Sequence, residues 1–331
     1  MKLIAESAWH HEGDFTFMKN LVNEMCNKTE TDIVKMHITI DFDEYMDKSH
    51  SAYDLLQNWL FDREQWKNLV EIVRNNDKEL MLLLNDTAAI EFGMSLAPEY
   101  VEIHSVCLND VFMLDKLKYL LKPEIKLVLG VGGTDIKEID YALNYINHKN
   151  TLLMFGFQNY PTVYQDVNLN KVRRIMNLYQ GLEFGYADHT AWDSPHNELI
   201  TLLGAASGMS YIEKHVTTNY GEKRTDWPAA ISIEMFNELI EKLKILDTLN
   251  GDGNLEMNQG ELDYSIFGPM KKAAVLTKDV KEGDIFSKEM IKFIRTENIS
   301  DISQVNIAQS FGKNINIDMA KGSILMKKSL I

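Results

Sequence analysis

Cysteine is nearly absent from this chain. Its 331 residues include only Cys26 and Cys107, in no CxxC or metal-finger spacing, so no disulfide framework or zinc ribbon organises it, and a reducing cytoplasm is the expected setting. Positive charge is also scarce. Lys and Arg number 34 against 49 Asp and Glu, a net charge of −15, so a polyanion would meet repulsion over most of the surface and nucleic acid is excluded as a partner. Long apolar runs are missing too. Residues 152–157 fall far short of the ~20 that a spanning helix needs, and residues 1–11 interrupt their few apolar side chains with Glu6, unlike an export signal. No membrane association is expected.

Apolar residues are plentiful, at 45% with 25% charged, the mixture of a globular protein with a sizeable core. At roughly 150 residues per domain the length suggests about two domains, with barrels allowed as larger units. Short β-rich runs recur, each followed by a polar loop and an amphipathic stretch of helical spacing. Strands are expected at 3–6, 32–38, 80–84, 100–103, 125–129, 152–155, 183–187 and 211–215, with helices including 53–75, 110–121, 135–148, 169–179, 195–207 and 233–249. Eight such units suit an α/β fold, a closed parallel (βα)8 TIM barrel of about 250 residues. Asn250-Gly251-Asp252-Gly253-Asn254 is a strong loop signal. The barrel is therefore assigned to 1–250 and a linker to 251–264. Strand-like pieces at 272–276, 291–294 and 315–317, with turns such as Glu282-Gly283-Asp284, point to a small, mostly β domain over 265–331.

All strands of such a barrel point the same way, so polar residues at their C-terminal ends should share one site. Glu6, His10 and His11 follow the first strand, Lys35 and His37 alternate on the second, and His104 and Ser105 close the fourth. Gln158-Asn159-Tyr160-Pro161 ends the sixth, Asp188-His189-Thr190 the seventh and Glu213-Lys214-His215 the eighth. Imidazoles there can bind a metal, orient a carboxylate or move protons. The structural reading, a hydrogen-bonded histidine in a β-rich segment, is adopted for His104 and for one of His10 and His11. His189 and His215, each beside a carboxylate, are assigned to the site. Lys35 and Lys214 lie in apolar runs and should each meet an anion or a carboxylate, because lysine is seldom buried unpaired. Candidate catalytic groups are Lys35, Asp188, His189 and Glu213; candidate substrate contacts are Glu6, His37, Tyr160 and Lys214. Gly130-Val131-Gly132-Gly133 has no adjoining lysine or serine and reads as a tight turn.

Three blocks in order carry a resemblance: Asn159-Tyr160-Pro161-Thr162 with Tyr164, Asp166, Val167, Asn168 and Leu169; Gly185-Tyr186-Ala187-Asp188-His189-Thr190; and Ile212-Glu213-Lys214-His215-Val216-Thr217. With Ala5-Glu6, His11 and Gly13 near the start, and Val280-Lys281-Glu282-Gly283-Asp284 and Arg295 near the end, they resemble the N-acetylneuraminate (sialic acid) synthase family. Its members join a (βα)8 barrel to a small C-terminal antifreeze-like (SAF) domain. The resemblance implies condensation of phosphoenolpyruvate with the open-chain aldehyde of an N-acyl hexosamine, giving a nonulosonic acid and phosphate. It implies that Lys35, Ser105 and Asn159 hold phosphoenolpyruvate and that Asp226 holds the sugar. His215 would bind a divalent metal, manganese or magnesium, that polarises the aldehyde. Arg295 would cap a neighbour's active site in a homodimer.

Departures from the family pattern define the alternatives. Trp227 stands where the family has a second metal-ligand histidine, and no histidine follows His215, so His215, with Asp226 or an opening-motif residue as second ligand, is expected to bind metal loosely or not at all. Glu102 replaces a lysine and Gly130 a serine, Lys35-Met36-His37 replaces a lysine-x-glutamine pair, and a Ser-Thr-Pro-Phe segment reads as Leu82-Leu83-Leu84. Fewer groups then remain for a phosphate. Beside the synthase stand an aldolase, lyase or synthase with another acceptor, working through His37, His189 and His215, and a non-catalytic sugar-binding or regulatory homologue. Retention of Lys35, Asn159, Asp188, His189, Glu213 and His215 speaks against the last.

Overall fold

A computed structural model describes residues 1–157 and 159–330. Gln158, placed above at the end of the sixth strand, lies outside the described residues, as does Ile331. The chain divides into two compact units, the first Met1–Gly251 and the second beginning at Asp252.

In the first unit β1 (Lys2–Glu6), β2 (Ile33–Ile38), β3 (Glu79–Leu84), β4 (Tyr100–Ile103), β5 (Lys126–Gly130), β6 (Thr151–Phe155), β7 (Glu183–Ala187) and β8 (Tyr211–Thr217) pair in chain order, all parallel. β1 also pairs with β8, with Glu6 opposite His215, and closes the barrel. A two-residue strand, β9 (Ile231–Ser232), pairs in parallel with Val216 and Thr217 at the end of β8. Each barrel strand is followed by a helix, beginning with Phe15–Lys28 and ending with Ile233–Asn250. Seven of these eight helices start on Asp14, Asp62, Asp86, Asp110, Asp135, Asn168 or Ser232, whose side chain accepts a backbone N–H of the first turn. Part of the acidic excess therefore sits where the helix dipole favours it. The helix expected at 53–75 is two, Tyr53–Gln57 and Arg63–Asn75. Asp62 and Gln65 form a reciprocal capping box, a start signal that overrides the continuous apolar periodicity.

Side chains alternate along a strand, so one row enters the barrel and the other meets the helices. Ile4, Ile33, Met81, Tyr100, Val128, Leu152, Met154, Ala187 and Tyr211 form the inner apolar cluster, while Val34, Met36, Leu82, Val101 and Ile212 pack with the helices. Burying each such Ile, Leu or Val contributes on the order of 1.5–3 kcal/mol. Toward the strand C-termini the inner row turns polar: Ile4 gives way to Glu6, Ile33 to Lys35, Tyr100 to Glu102, and Tyr211 to Glu213 and then His215. Leu82-Leu83-Leu84, matched above to a family loop, lies inside β3. The residues that leave this strand are Asn85, Asp86 and Thr87.

In the second unit β10 (Ala273–Leu276) and β11 (Ile291–Ile294) are antiparallel and cover a core that includes Leu276, Val280, Phe286, Ile307, Ile315 and Leu325. The strand expected at 315–317 is not formed. Ile315 makes a single bridge to Leu330, and Asp318 is drawn away to Lys281 Nζ and the Glu282 N–H at 2.8 and 2.9 Å. The segment 251–264, read as a linker, contains a helix, Gln259–Tyr264, started by an Asn258–Glu261 capping box. No helix among the described residues is long and apolar enough to cross a membrane.

Candidate active site

The polar inner row opens into a cavity of about 310 Å³ at the C-terminal ends of the strands. On its floor, Lys35 Nζ stands 2.7 Å from Glu102, 3.0 Å from Glu213 and 3.4 Å from Glu6, and every side chain of this cage is 3% exposed or less. Burial alone would lower the Lys35 ammonium; the three carboxylates outweigh it and hold the group above the ordinary lysine range. The carboxylates respond unequally. Burial, followed by the charge of Glu6, pushes Glu213 well above the usual carboxylate value, and burial also raises Glu102. Burial would raise Glu6 as well, but Lys35, His215 and His37 draw it well below. The cage thus separates the two carboxylates, favouring the ionised form of Glu6 and the protonated form of Glu213.

Glu6 also belongs to a second group. Its Oε2 lies 3.2 Å from His215 Nε2, and His215 Nε2 lies 3.1 Å from His189 Nε2. One donor atom from each residue falls within 4.8 Å of the others. His189 Nδ1 faces the Ala187 carbonyl at 2.8 Å, which fixes the hydrogen on Nδ1 and leaves Nε2 as a bare lone pair pointing at another imidazole. Glu6 Oε2 has no hydrogen-bond partner among the described residues. Two imidazoles and a carboxylate, converging with unsatisfied lone pairs, fit a divalent cation. The opening-motif residue beside His215 is Glu6, brought by β1, and the residue that the replacement at Trp227 did not foretell is His189, which follows β7. Trp227 itself packs on Trp192, with ring centres 6.2 Å apart.

Of the remaining candidates, His37, Ser105, Tyr160 and Asp226 line the same cavity. His37 Nε2 pairs with Glu6 Oε1, the Tyr160 hydroxyl donates to the Asp226 carbonyl, and Asp226 Oδ2 accepts the Trp9 N–H at 3.0 Å. His104, read above as structural, caps the turn after β4 by accepting the Val106 N–H at 3.2 Å and also forms part of the cavity wall. Asp188 and Lys214 are corrections. They fall on the outward row, where Lys214 Nζ meets Asp188 Oδ2 at 3.0 Å with both side chains fully buried, and neither lines the cavity. The one-residue offset from His189 and from Glu213 and His215 turns them to the opposite face of the strand. Asn159 is exposed and donates to Asp166 Oδ2 at 2.5 Å, away from the cavity wall. Arg295, in the second unit, donates from Nε to the Pro269 carbonyl at 2.8 Å. Trp9, Tyr45, Asn85 and Phe157 complete the wall and carry no signal in sequence, because loops rather than strand periodicity place them. Gly132 is required by close approach: a Cβ there would lie 1.6 Å from the Phe157 carbonyl oxygen.

Burial is the largest cause holding His10, His11, His104 and His189 neutral, with their values lowered to about 4, 3, 4 and 3. In the unfolded chain each takes up a proton near pH 6.5. The unfolded state therefore binds more protons as the pH falls from 6.5 toward 4, and stability falls with it. Glu102 and Glu213, raised in the folded protein, act with the opposite sign above pH 4.5 and moderate the slope. The urea midpoint is expected to be clearly lower at pH 5 than at pH 7.5. Equal midpoints would show that the histidines do not dominate the pH dependence of stability.

Comparison with known proteins bears on this site. A family model described as the NeuB family matches residues 26–255. The N,N'-diacetyllegionaminic acid synthase of Legionella pneumophila is 25% identical over 344 residues, covering 98% of this chain and 93% of that protein. A structure described as spore coat polysaccharide biosynthesis protein E from Chromobacterium violaceum superposes with a TM-score of 0.83 at 17% identity, covering 99% of each chain. The N-acetylneuraminic acid synthetase of Leptospira borgpetersenii gives a TM-score of 0.71 at 20% identity, covering 79% of this chain and 88% of that one. The two structural likenesses show the barrel fold, and the family model covers well over half of the sequence: this chain belongs to the NeuB family.

Proposed function

We propose that the protein is a sialic acid synthase-like enzyme that joins phosphoenolpyruvate to the open-chain aldehyde of an N-acyl hexosamine or related sugar: C3 of phosphoenolpyruvate bonds to the aldehyde carbon, a water adds to the enol carbon, and phosphate leaves, giving a nonulosonic acid. The observation that carries this reading is the buried cluster Glu6–His189–His215, which could hold a cation, set beside Glu213, whose burial favours its protonated form, in the cavity of a NeuB-family barrel. A divalent metal bound there, manganese or magnesium, supplies a Lewis acid for the aldehyde carbonyl. Glu213 donates its proton to the carbonyl oxygen as that oxygen becomes a hydroxyl. Asp226 and Tyr160 orient the sugar, and Ser105 and Lys35 receive the anionic cosubstrate. Met154, Phe155 and Phe157 in the wall keep bulk solvent from the charged species formed during the reaction and leave room for the one water that the reaction consumes.

The test is phosphate release from phosphoenolpyruvate with manganese and a panel of N-acyl hexosamines. Release should require both sugar and metal, and should fall at least about 100-fold in His215→Ala, which removes a ligand. N-acetylmannosamine itself is expected to be a poor acceptor. The three carboxylates around Lys35 favour a second reading, an aldolase, a lyase or a synthase with a different acceptor. Turnover of sugar aldehydes without phosphate release would select it.

The second unit is proposed as an antifreeze-like domain that caps the barrel of a partner copy through Arg295, in a cytoplasmic homodimer. Sedimentation is expected to give a dimer at micromolar concentration. A monomer there removes the cap.

A further inference from the structure

Most polar donors of the cavity wall are already engaged. Lys35 is held by three carboxylates, His37 Nε2 by Glu6, the Tyr160 hydroxyl by the Asp226 carbonyl, and Asn85 Nδ2 by Thr39 Oγ1 at 2.9 Å. An anion entering the cavity must break such a bond or find a donor that is free. His104 offers one. Its Nδ1 accepts the Val106 N–H at 3.2 Å, so in the neutral ring the hydrogen sits on Nε2, and no described residue takes that N–H. Burial, the first cause, lowers this imidazole to about 4 and leaves it uncharged near pH 7. The charges that act on it are those of His37, Lys35, Glu6 and Asp226, all in the cavity wall, and its ring stands against that of Phe157, another wall residue, with centres 5.2 Å apart. Nδ1 is thus spent on the turn after β4, and Nε2 is left for a ligand.

A departure from the family pattern meets this turn. A Cβ on Gly130 would lie 2.9 Å from the Ser105 nitrogen and 3.3 Å from the Ile103 carbonyl oxygen, so the serine of the family pattern does not fit against it. Where β5 has lost a hydroxyl, the turn after β4 presents an imidazole N–H, next in the chain to a Ser105 hydroxyl that also has no partner among the described residues. We infer that His104 is a binding residue for the anionic cosubstrate: its Nε2–H, together with the Ser105 hydroxyl, donates to an oxyanion of phosphoenolpyruvate. An uncharged donor suits this cavity better than a second cation. An ammonium here would be captured by the carboxylates, as Lys35 is, whereas none of them has taken the imidazole N–H. A hydrogen bond to an oxyanion then breaks nothing already made, and a bond to a charged acceptor is roughly twice as strong as one between neutral groups. Neutral imidazoles serve as donors of this kind in other active sites. The inference rests on the cosubstrate named under Proposed function.

Calorimetric titration of the full chain with phosphoenolpyruvate tests it. His104→Asn keeps an acceptor for the Val106 N–H, since its Oδ1 can stand in for Nδ1, but has no donor at the place of Nε2. It should bind phosphoenolpyruvate about 10- to 100-fold more weakly, with little change in melting temperature. His104→Gln, whose amide N–H reaches the place of Nε2, should recover most of the affinity. Unchanged affinity in His104→Asn leaves His104 the turn alone and overturns the inference, as does an equal loss in both variants. In wild-type protein labelled with ¹⁵N-histidine, phosphoenolpyruvate should shift the His104 Nε2–H resonance and slow its exchange with water. Inorganic phosphate and pyruvate, used as separate probes, tell which end of the cosubstrate is held: a response to phosphate assigns the phosphoryl group, and a response to pyruvate the carboxylate. A resonance that answers none of the three overturns the inference. A clear response to phosphoenolpyruvate, without phosphate release in the presence of any sugar, keeps the oxyanion site and removes the synthase reading. Sugar-dependent phosphate release whose KM for phosphoenolpyruvate His104→Asn leaves unchanged does the reverse.

Discussion

Replacing Glu102 with glutamine should strengthen phosphoenolpyruvate binding at least tenfold, and Glu102→Lys should strengthen it further. Phosphoenolpyruvate carries close to three negative charges, whereas Lys35 is the one lysine or arginine among the described residues that line the cavity, against Glu6, Glu102, Glu213 and Asp226. Glu102 lies 2.7 Å from the Lys35 ammonium, so an incoming anion must compete with a carboxylate already in place. Two unit charges about 4 Å apart interact by about 4 kcal/mol at an effective dielectric near 20, and 1.4 kcal/mol is a factor of ten in affinity. Glutamine keeps the shape of Glu102 and removes the competing charge. Glu102→Lys would set two ammonium groups against Glu6 and a Glu213 that burial inclines toward its neutral form, which turns the charge of the floor in favour of an anion. Calorimetric titration at fixed ionic strength checks both variants. Tight binding by the wild-type protein that Glu102→Gln leaves unchanged would show that the ion pair is no obstacle, and would favour the synthase reading over its alternatives.

A second large effect is expected at Lys214 and Asp188, and it concerns folding. Lys214 Nζ is held by Asp188 Oδ2 at 3.0 Å and Asn197 Oδ1 at 3.1 Å, and the same carboxylate takes the Thr201 hydroxyl at 2.6 Å and the Thr190 hydroxyl at 3.1 Å. Removing one partner of a buried pair leaves the other charge uncompensated, at a typical cost of about 3–5 kcal/mol. Lys214→Met should lower the unfolding free energy by that much in urea titration. The double variant Lys214→Met/Asp188→Asn should recover part of the loss, because no lone charge remains. Where the single variant is still folded, Co²⁺ affinity should be unchanged, since Lys214 does not reach the cavity. A loss of metal affinity without loss of stability would return Lys214 to the site.

The sequence by itself determined the eight strand–helix units, since the period of the apolar pattern changes from two to about 3.6 and back along the chain. It also determined which strand ends are polar, and through three blocks of residues it pointed to the family. Even the rows of each strand were open to reading. The placement of His189, Glu213 and His215 on the cavity side, with Asp188 and Lys214 on the helix side, follows from alternation alone once one member is fixed. Only the tertiary structure decided the partners. Lys35 and Glu102 lie on β2 and β4 with β3 between them, and only closure of the barrel sends both side chains to the same floor. Glu6 and His215 are neighbours because β1 pairs with β8 across the closing seam, so the cation cluster joins the start of the first unit to its last long strand. The sequence shows a lysine facing a misplaced glutamate and a histidine lacking its family partner. The structure instead holds the lysine in a carboxylate cage and completes the histidine's donor set from two other strands, because a closed parallel sheet aims all its strand ends at one point.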